Sequence, residues 1–414
     1  MKILNAFKWL YPGMWVKRWI LLSVFGIIMI SMGFVVMLLE QNPKSKLYAT
    51  VIILVGIVAV VTGIKRIIKS FVTVFLPERE GELVDRVYLK RVLDRGPRIT
   101  VIGGGTGLST MLHGLKEYTS NITAVVTVAD DGGSSGRLRK DFNMLPPGDI
   151  RNCLVALADA EPLMGKLFQF RFEDGGDLKG HSFGNLFIAA MTKVAGSFDA
   201  AIKESSKVLA IRGSVVPSTL DKAVLVAEHI DGHETVGETS ISKANSPIRR
   251  ISLRPGNCRA TSEAIEAIRK ADAVVLGPGS LYTSIIPNLL VGNIYRELIA
   301  SKAIKVYVCN VMTQKGETDG YKASDHMRAI IDHTAAGIIN YCIVNTARIS
   351  AYMLKKYESE YSYPVVADIE NLKKLKAKAV EAHIISTKDY VRHDSVRLAK
   401  IIIDLVTSLK KEKN

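Results

Sequence analysis

Two long apolar runs without a charge open the chain, and behind them short apolar runs alternate with helix-period stretches to the C-terminus. Trp19 to Leu39 supplies about 21 uncharged residues and Leu47 to Ile64 about 18 more, the length a bilayer-spanning helix needs. A polar link, Glu40 to Lys46, separates them. A buried core hairpin is the bland alternative, and two adjacent uncharged runs of this length argue against it. A cleaved signal peptide is also disfavoured, because the first run is too long, lacks a small-x-small site and is followed at once by the second. Lys2, Lys8, Lys17 and Arg18 precede the first run, Lys65, Arg66 and Lys69 follow the second, and only Lys44 and Lys46 lie between. The positive-inside rule then predicts a transmembrane hairpin with both ends cytoplasmic. The expected plan is a hairpin over residues 1–70 (spans 19–39 and 47–64), a charged linker over 71–97 that is partly helical near Glu82 to Leu93, and one large domain over 98–414.

Within that domain the pattern predicts strands at 98–102, 122–129, 223–230, 273–276, 304–309 and 340–344. It predicts helices at 107–118, 149–158, 184–195, 198–210, 261–271, 286–300, 324–335 and 395–409. Alternation of this kind means a mostly parallel sheet covered on both faces, an α/β domain. Ser214 to Leu253 departs from it, being polar, β-leaning and turn-rich, and reads as an antiparallel insertion.

The ends of the predicted strands carry the chemistry. Arg98 to Ile102 runs straight into Gly103-Gly104-Gly105-Thr106-Gly107 and then a helix. Strand, glycine turn and helix present backbone N–H groups to a phosphate. Leu108 stands where a dinucleotide fingerprint has its last glycine, and no Gly-Lys-Ser/Thr follows, so this is neither that fingerprint nor a Walker loop. The next strand ends in Asp130-Asp131-Gly132-Gly133-Ser134-Ser135-Gly136-Arg137. Its two acids can cap their own turn, accept from ribose hydroxyls or hold a divalent ion. Asp149, in Pro146 to Asn152, reads either as an N-cap or as a ligand group. Arg151 in the same first turn opposes the helix dipole, which favours a ligand contact. His181, with Ser182 and Asn185, opens another helix. Gly277-Pro278-Gly279-Ser280 follows a later strand and leads into Tyr282 and Thr283, and the strand after that ends in Asn310, Gln314, Glu317 and Thr318. Turns alone do not call for so many decorated strand ends.

Charge and cysteines narrow the classes. Lys and Arg number 55 against 40 Asp and Glu, a formal net charge of +15, which suits anionic partners. The basic residues beyond the second apolar run read as topology determinants rather than nucleic-acid contacts. Cys153, Cys258, Cys309 and Cys342 are scattered without metal-type spacing and read as buried thiols in a reducing compartment.

The motifs together resemble the YvcK/CofD family, specifically its bacterial YvcK branch, often labelled gluconeogenesis factor. The matching runs are GGGTGLS at 103–109, DDGGSSGRLR at 130–139, PPGDIRNCL at 146–154, HSFGNL at 181–186, GPGSLYTSIIPNLLV at 277–291, NVMTQKGETDGY at 310–321 and VRHDS at 391–395. The resemblance covers about three quarters of the chain. It implies a doubly wound, Rossmann-like domain that holds a nucleotide-type ligand at the strand ends, with Asn152 among the contacts. In the YvcK branch that ligand is a UDP-sugar such as UDP-N-acetylglucosamine, with roles in cell shape, cell-wall supply and growth on gluconeogenic carbon. Tyr357 and Arg392 match residues of the family's UDP-sugar site, where a ring can stack on a base and a guanidinium can grip a diphosphate. Phosphorylation of Ser395 would add charge beside Arg392. Family members are commonly soluble, so the hairpin reads as an addition.

The resulting expectation is a membrane-anchored, cytosol-facing UDP-sugar-binding regulator that needs no cofactor and is more a binder than an enzyme. The glycine loops would hold the diphosphate and Asp130 or Asp131 the ribose. The rival from another class is a CofD-like transferase of a phospholactyl group with Mg²⁺ at Asp131 and Asp149. A nicotinamide-dependent oxidoreductase is a further rival, disfavoured by the missing glycine. The expected partners are the ligand, the membrane and proteins of cell-wall synthesis, with room for a homo-oligomer and none for nucleic acid.

Overall fold

A computed structural model describes residues 16–75, 91–159, 162–244, 246–386 and 391–413. The chain divides into two units, Met1–Arg91 and Val92–Asn414. Most of the expected linker, including the start of its helical stretch, lies outside the described residues, as do Lys2 and Lys8; residues 91–94 are helical.

The first unit is an antiparallel pair of helices, α1 (Val16–Leu39) and α2 (Pro43–Phe75). Both contain stretches long and apolar enough to cross a membrane, Lys17–Leu39 and Pro43–Ser70. The second helix runs further than the uncharged run because Lys65, Arg66 and Lys69 are good helix formers. Asn42 starts it, its Oδ1 accepting from Lys44 N–H at 3.0 Å. Glycine allows the two backbones to touch. A Cβ on Gly26 would lie 2.7 Å from the Gly56 carbonyl oxygen, and one on Gly56 equally close to that of Gly26.

The second unit is built on a seven-stranded sheet in which every neighbouring pair is parallel. Its strands are β1 (Ile99–Gly103), β2 (Ile122–Val126), β3 (Ser214–Pro217), β7 (Ala273–Leu276), β8 (Ile304–Val308), β9 (Tyr341–Asn345) and β10 (Lys378–Ala382), in the order β10-β9-β8-β7-β1-β2-β3. The central strands β1, β7 and β8 are buried throughout because helices cover both faces. Two buried cores follow, one holding Val101, Leu112 and Leu154 and the other Ile102, Leu276 and Tyr307.

Three of the expected features differ in detail. Ser214–Pro217 joins the main sheet beside β2, so the antiparallel insertion is smaller than expected: β4 (Val224–His229), β5 (Glu234–Val236) and β6 (Ile248–Arg254) in the order β5-β4-β6. The single helix expected over 286–300 is two, α11 (Ile286–Leu290) and α12 (Ile294–Ala300), preceded by a π-turn, Leu281–Ile285. Gly292, at φ 47°, breaks it where the backbone approaches Ala260 N. Strand β10 escapes the pattern because Lys378-Ala379-Val380-Glu381-Ala382 is a half-exposed edge with little apolar content.

The remaining helices are α3 (Gly105–Leu115), α4 (Gly133–Asp141), α5 (Gly148–Leu157), α6 (Pro162–Gln169), α7 (Phe183–Ala195), α8 (Phe198–Val208), α9 (Glu238–Lys243), α10 (Ser262–Lys270), α13 (Ala323–His333), α14 (Ala351–Glu358), α15 (Ile369–Lys374) and α16 (Ser395–Lys413). Ser197, Thr261 and Ser350 cap α8, α10 and α14 through side-chain oxygens. Helix α4 was not expected, since its glycines and serines are poor helix formers; tertiary burial of Ser134, Ser135, Gly136 and Leu138 holds it instead.

Candidate functional site

The chain leaves β1 for β2 and β3 on one side, then returns to β7 on the other side of β1 and builds outward through β8, β9 and β10. The topological switch point therefore lies between the carboxyl ends of β1 and β7, where open α/β sheets bind ligands. The loops that leave these two strands are the two glycine runs seen in the sequence. They interlock: a Cβ on Gly107 would lie 2.7 Å from the Pro278 carbonyl oxygen, and one on Gly279 would lie 3.2 Å from that of Gly104. Gly105 (φ 67°) and Gly277 (φ 77°) need the left-handed conformation that glycine permits. The N-cap residue of α3, Gly104, has no side chain to cap the helix, which leaves N–H groups of the first turn beyond Gly105 open to the crevice.

A cavity of about 180 Å³ opens there, lined by Thr106, Gly107, Asn310, Met312, Arg392 and His393 among others. Asn310 holds the second loop from both sides, its Nδ2 donating to the Gly279 carbonyl at 2.8 Å and its Oδ1 accepting from Gly279 N–H at 3.3 Å. The hydroxyl of Ser280 donates to Gln314 Oε1 at 2.8 Å, and Gln314 Nε2 donates to Glu317 Oε1 at 2.8 Å. Thr318 Oγ1 accepts from Gln314 N–H at 2.9 Å. Tyr282 and Tyr321 share a hydroxyl contact of 2.7 Å. Tyr282, Thr283, Glu317 and Thr318 are all buried, so they brace the loops from behind.

Tyr357 lies in α14, and its hydroxyl accepts from Val391 N–H at 2.9 Å while facing the Val391 carbonyl at 3.5 Å. It thereby fixes the short strand β12 (Arg392–His393), the antiparallel partner of β11 (Ile385–Ser386), that brings Arg392 to the cavity. Burial pushes the His393 imidazole down to about 4, so that ring is neutral and Nε2 donates to the Cys309 carbonyl. Tyr357→Phe removes only the tether. It is expected to weaken ligand affinity several-fold with a change in melting free energy of about 1 kcal/mol, read by calorimetry beside thermal melts.

The acids lie behind the first glycine loop, Asp149 Oδ2 coming 2.6 Å from the Cβ position of Gly104. Asp149 accepts from Gly105 N–H, and burial, then the charge of Asp130, pushes its carboxyl up to about 6. Asp130 caps its own turn, accepting from Gly132 N–H at 2.8 Å. Asp131 is committed elsewhere: its Oδ1 accepts from Thr239 N–H at 2.8 Å and from Thr239 Oγ1 at 2.6 Å, while Gly237 packs against its other oxygen. It thus starts α9 of the insertion. Among the described residues no three His, Cys, Asp or Glu side chains gather to hold a metal ion. Glu238, from the insertion, was not expected. Burial, then Asp130, pushes it up to about 9, and its Oε2 is buried without a partner. Nothing in the sequence separates it from a solvated surface glutamate.

A second polar cluster joins α4, α5 and α7. Ser134 Oγ accepts from Ser182 N–H (3.4 Å) and Asn185 Nδ2 (3.2 Å), which leaves its own hydrogen for His181 Nδ1 at 3.0 Å. Burial lowers the His181 pKa, consistent with a neutral ring that accepts at Nδ1. Arg151 donates to Ser182 Oγ at 2.5 Å and to Asn152 Oδ1 at 2.7 Å. Arg151 lies along Gly184, where a Cβ would come 2.7 Å from its Cδ. Ser395, the first residue of α16, lies behind Asp394, whose carboxylate caps that helix through Val396 and Arg397 N–H. The four cysteines are buried and unpaired.

Known proteins share this architecture. The family model described as 2-phospho-L-lactate transferase CofD matches residues 99–385. A putative gluconeogenesis factor from Clostridium acetobutylicum is 47% identical over 418 residues, 97% of this chain and 92% of its own. The gluconeogenesis factor of Bacillus subtilis is 50% identical over 311 residues, 98% of its length but 75% of this chain, so a quarter of this chain has no counterpart there. A crystal structure of a Bacillus halodurans protein superposes with a TM-score of 0.73 at 49% identity, covering 100% of that chain and 75% of this one. By family model, sequence and fold alike, the chain belongs to the YvcK/CofD family.

Proposed function

We propose that this protein binds a UDP-sugar, of the UDP-N-acetylglucosamine type, at the β1/β7 switch point and acts as a regulator of envelope growth and gluconeogenic metabolism. The observation that carries the reading is the meeting of the start of α3, through Thr106 and Gly107, with Arg392 on one cavity, backed by a second glycine loop that interlocks with the first. N–H groups at a helix start and a guanidinium fork are the chemistry of a diphosphate. Three relatives bear the name gluconeogenesis factor, which supports the metabolic half of the reading. The neutral His181, held by Ser134, braces helices and carries no charge to the ligand.

The two apolar helices supply the anchor in this reading. Protease added outside sealed cells is expected to leave the large domain intact, and its digestion there would reverse the topology.

Calorimetry of the detergent-solubilised chain tests the ligand. UDP-N-acetylglucosamine is expected to bind, and Arg392→Ala to weaken it about ten- to a hundredfold with the melting temperature unchanged, the loss of a charge-assisted hydrogen bond. Binding of NAD alone, or of GDP only with Mg²⁺, would replace this reading with the oxidoreductase or the transferase.

A further inference from the structure

Three segments meet at the Gly103 carbonyl oxygen, the last acceptor of β1. Thr127 N–H donates to it at 3.0 Å from the β2 side. Asn288 Nδ2 donates to it at 3.0 Å from α11, and the same Nδ2 donates to the Ser284 carbonyl at 2.7 Å inside the π-turn. Asn288 is 0% exposed and its Oδ1 has no hydrogen-bond partner. A buried amide oxygen left unpaired costs about 1–3 kcal/mol. A leucine would suit the surroundings better, since Ile286 and Leu289 beside it belong to the apolar core. Stability alone therefore does not account for an amide here. What its donor half does is tie the π-turn to the end of β1.

That tie determines what stands between the two glycine loops. The π-turn carries Ser284 into their seam: Ser284 Cβ lies 3.4 Å from the Cβ position of Gly104 and 3.6 Å from that of Gly279, and its Oγ lies 3.9 Å from that of Gly105. Ser284 is itself buried. A π-turn adds one residue to a helical turn and moves the side chains after it, a device found often at functional sites. Asn288 is too deep to touch a ligand, so any effect on binding passes through the loops.

We propose that Asn288 is a positioning residue that sets the spacing of the two glycine loops, and through them the grip on the diphosphate part of the ligand. The ligand half of this statement rests on the UDP-sugar reading; the loop half does not. Two measurements on the full chain carrying Asn288→Leu keep them apart. Hydrogen exchange without ligand is expected to quicken at residues 103–107 and 277–284 and to stay unchanged in the β4–β5–β6 sheet. Affinity for UDP-N-acetylglucosamine and for UDP is expected to fall about tenfold, with uridine unaffected. Unchanged exchange at the loops, exchange quickened throughout, or equal losses for UDP and uridine would each overturn the proposal. If wild-type protein binds no UDP compound while exchange changes as expected, the UDP-sugar reading fails and the loop role stands. Should the leucine variant fail to fold, Ser284→Gly removes the spacer from the seam without touching the amide. It is expected to give the same UDP-specific loss, and unaltered UDP affinity would overturn the proposal.

Discussion

Gly107→Val is expected to abolish ligand binding and to destabilise the large domain by about 2–3 kcal/mol. The added Cβ would meet only backbone: the Pro278 oxygen at 2.7 Å, the Pro278 carbonyl carbon at 2.9 Å and Gly279 N at 3.2 Å. No side chain can swing away to relieve this, so the loops must part. Replacing a helix glycine ordinarily stabilises by about 0.5–1 kcal/mol, which offsets only part of the overpacking. Valine adds two methyl groups beyond that Cβ and a stiff χ1. A displacement of 1 Å at a site built from backbone donors is enough to lose the ligand. Gly165→Ala provides the control, because nothing lies within 4 Å of its Cβ position. Thermal melts and calorimetry on both variants check the prediction, and full binding by Gly107→Val would remove the switch point from the site.

How much of this site the sequence reveals depends on how local each part is. The glycine loops were legible because each sits between an apolar strand and a helix, and their interlocking follows from β1 and β7 being neighbours in the sheet. Arg392 and Tyr357 were not legible as residues. Their places depend on β12 returning to the β8 end of the sheet long after the motifs have passed, and only the family resemblance pointed to them. Asp131 carries a role that its place in the sequence does not announce. Its position after a strand suggests a ribose or a metal, yet it caps a helix 108 residues downstream. Glu238 and Asn288 fall in segments with ordinary composition, and their roles come from burial, which periodicity reports only for apolar residues. The helix expected over 286–300 is broken instead at Gly292, whose left-handed backbone a hydrophobic pattern does not register.

The buried acids make a claim on stability that can be signed. Glu238 is pushed up to about 9 from an ordinary 4.5, first by burial and then by Asp130, Asp149, Glu317 and Asp131. Glu317, 2% exposed, is pushed up to about 7 by burial. A carboxyl whose folded pKa lies above its unfolded one binds a proton on folding throughout the window between them. Stability must then fall as pH rises from 4.5 to about 9, with no deficit below 4.5 and a constant one above 9. At pH 7 that is two and a half pH units at 1.36 kcal/mol each, or about 3 kcal/mol. Glu238→Gln keeps the shape and cannot ionise. It is expected to stabilise the large domain by roughly 2–3 kcal/mol at pH 7, less whatever its own buried amide leaves unpaired. The gain should widen towards pH 9 and vanish near pH 4.5. Urea melts of both proteins at pH 5, 7 and 8.5 read this directly. A gain that does not change with pH would mean that the carboxyl is already paired in the native state. A gain that follows the window would identify Glu238 as an ionisable group kept buried against the interest of the fold, the usual mark of a group retained for function.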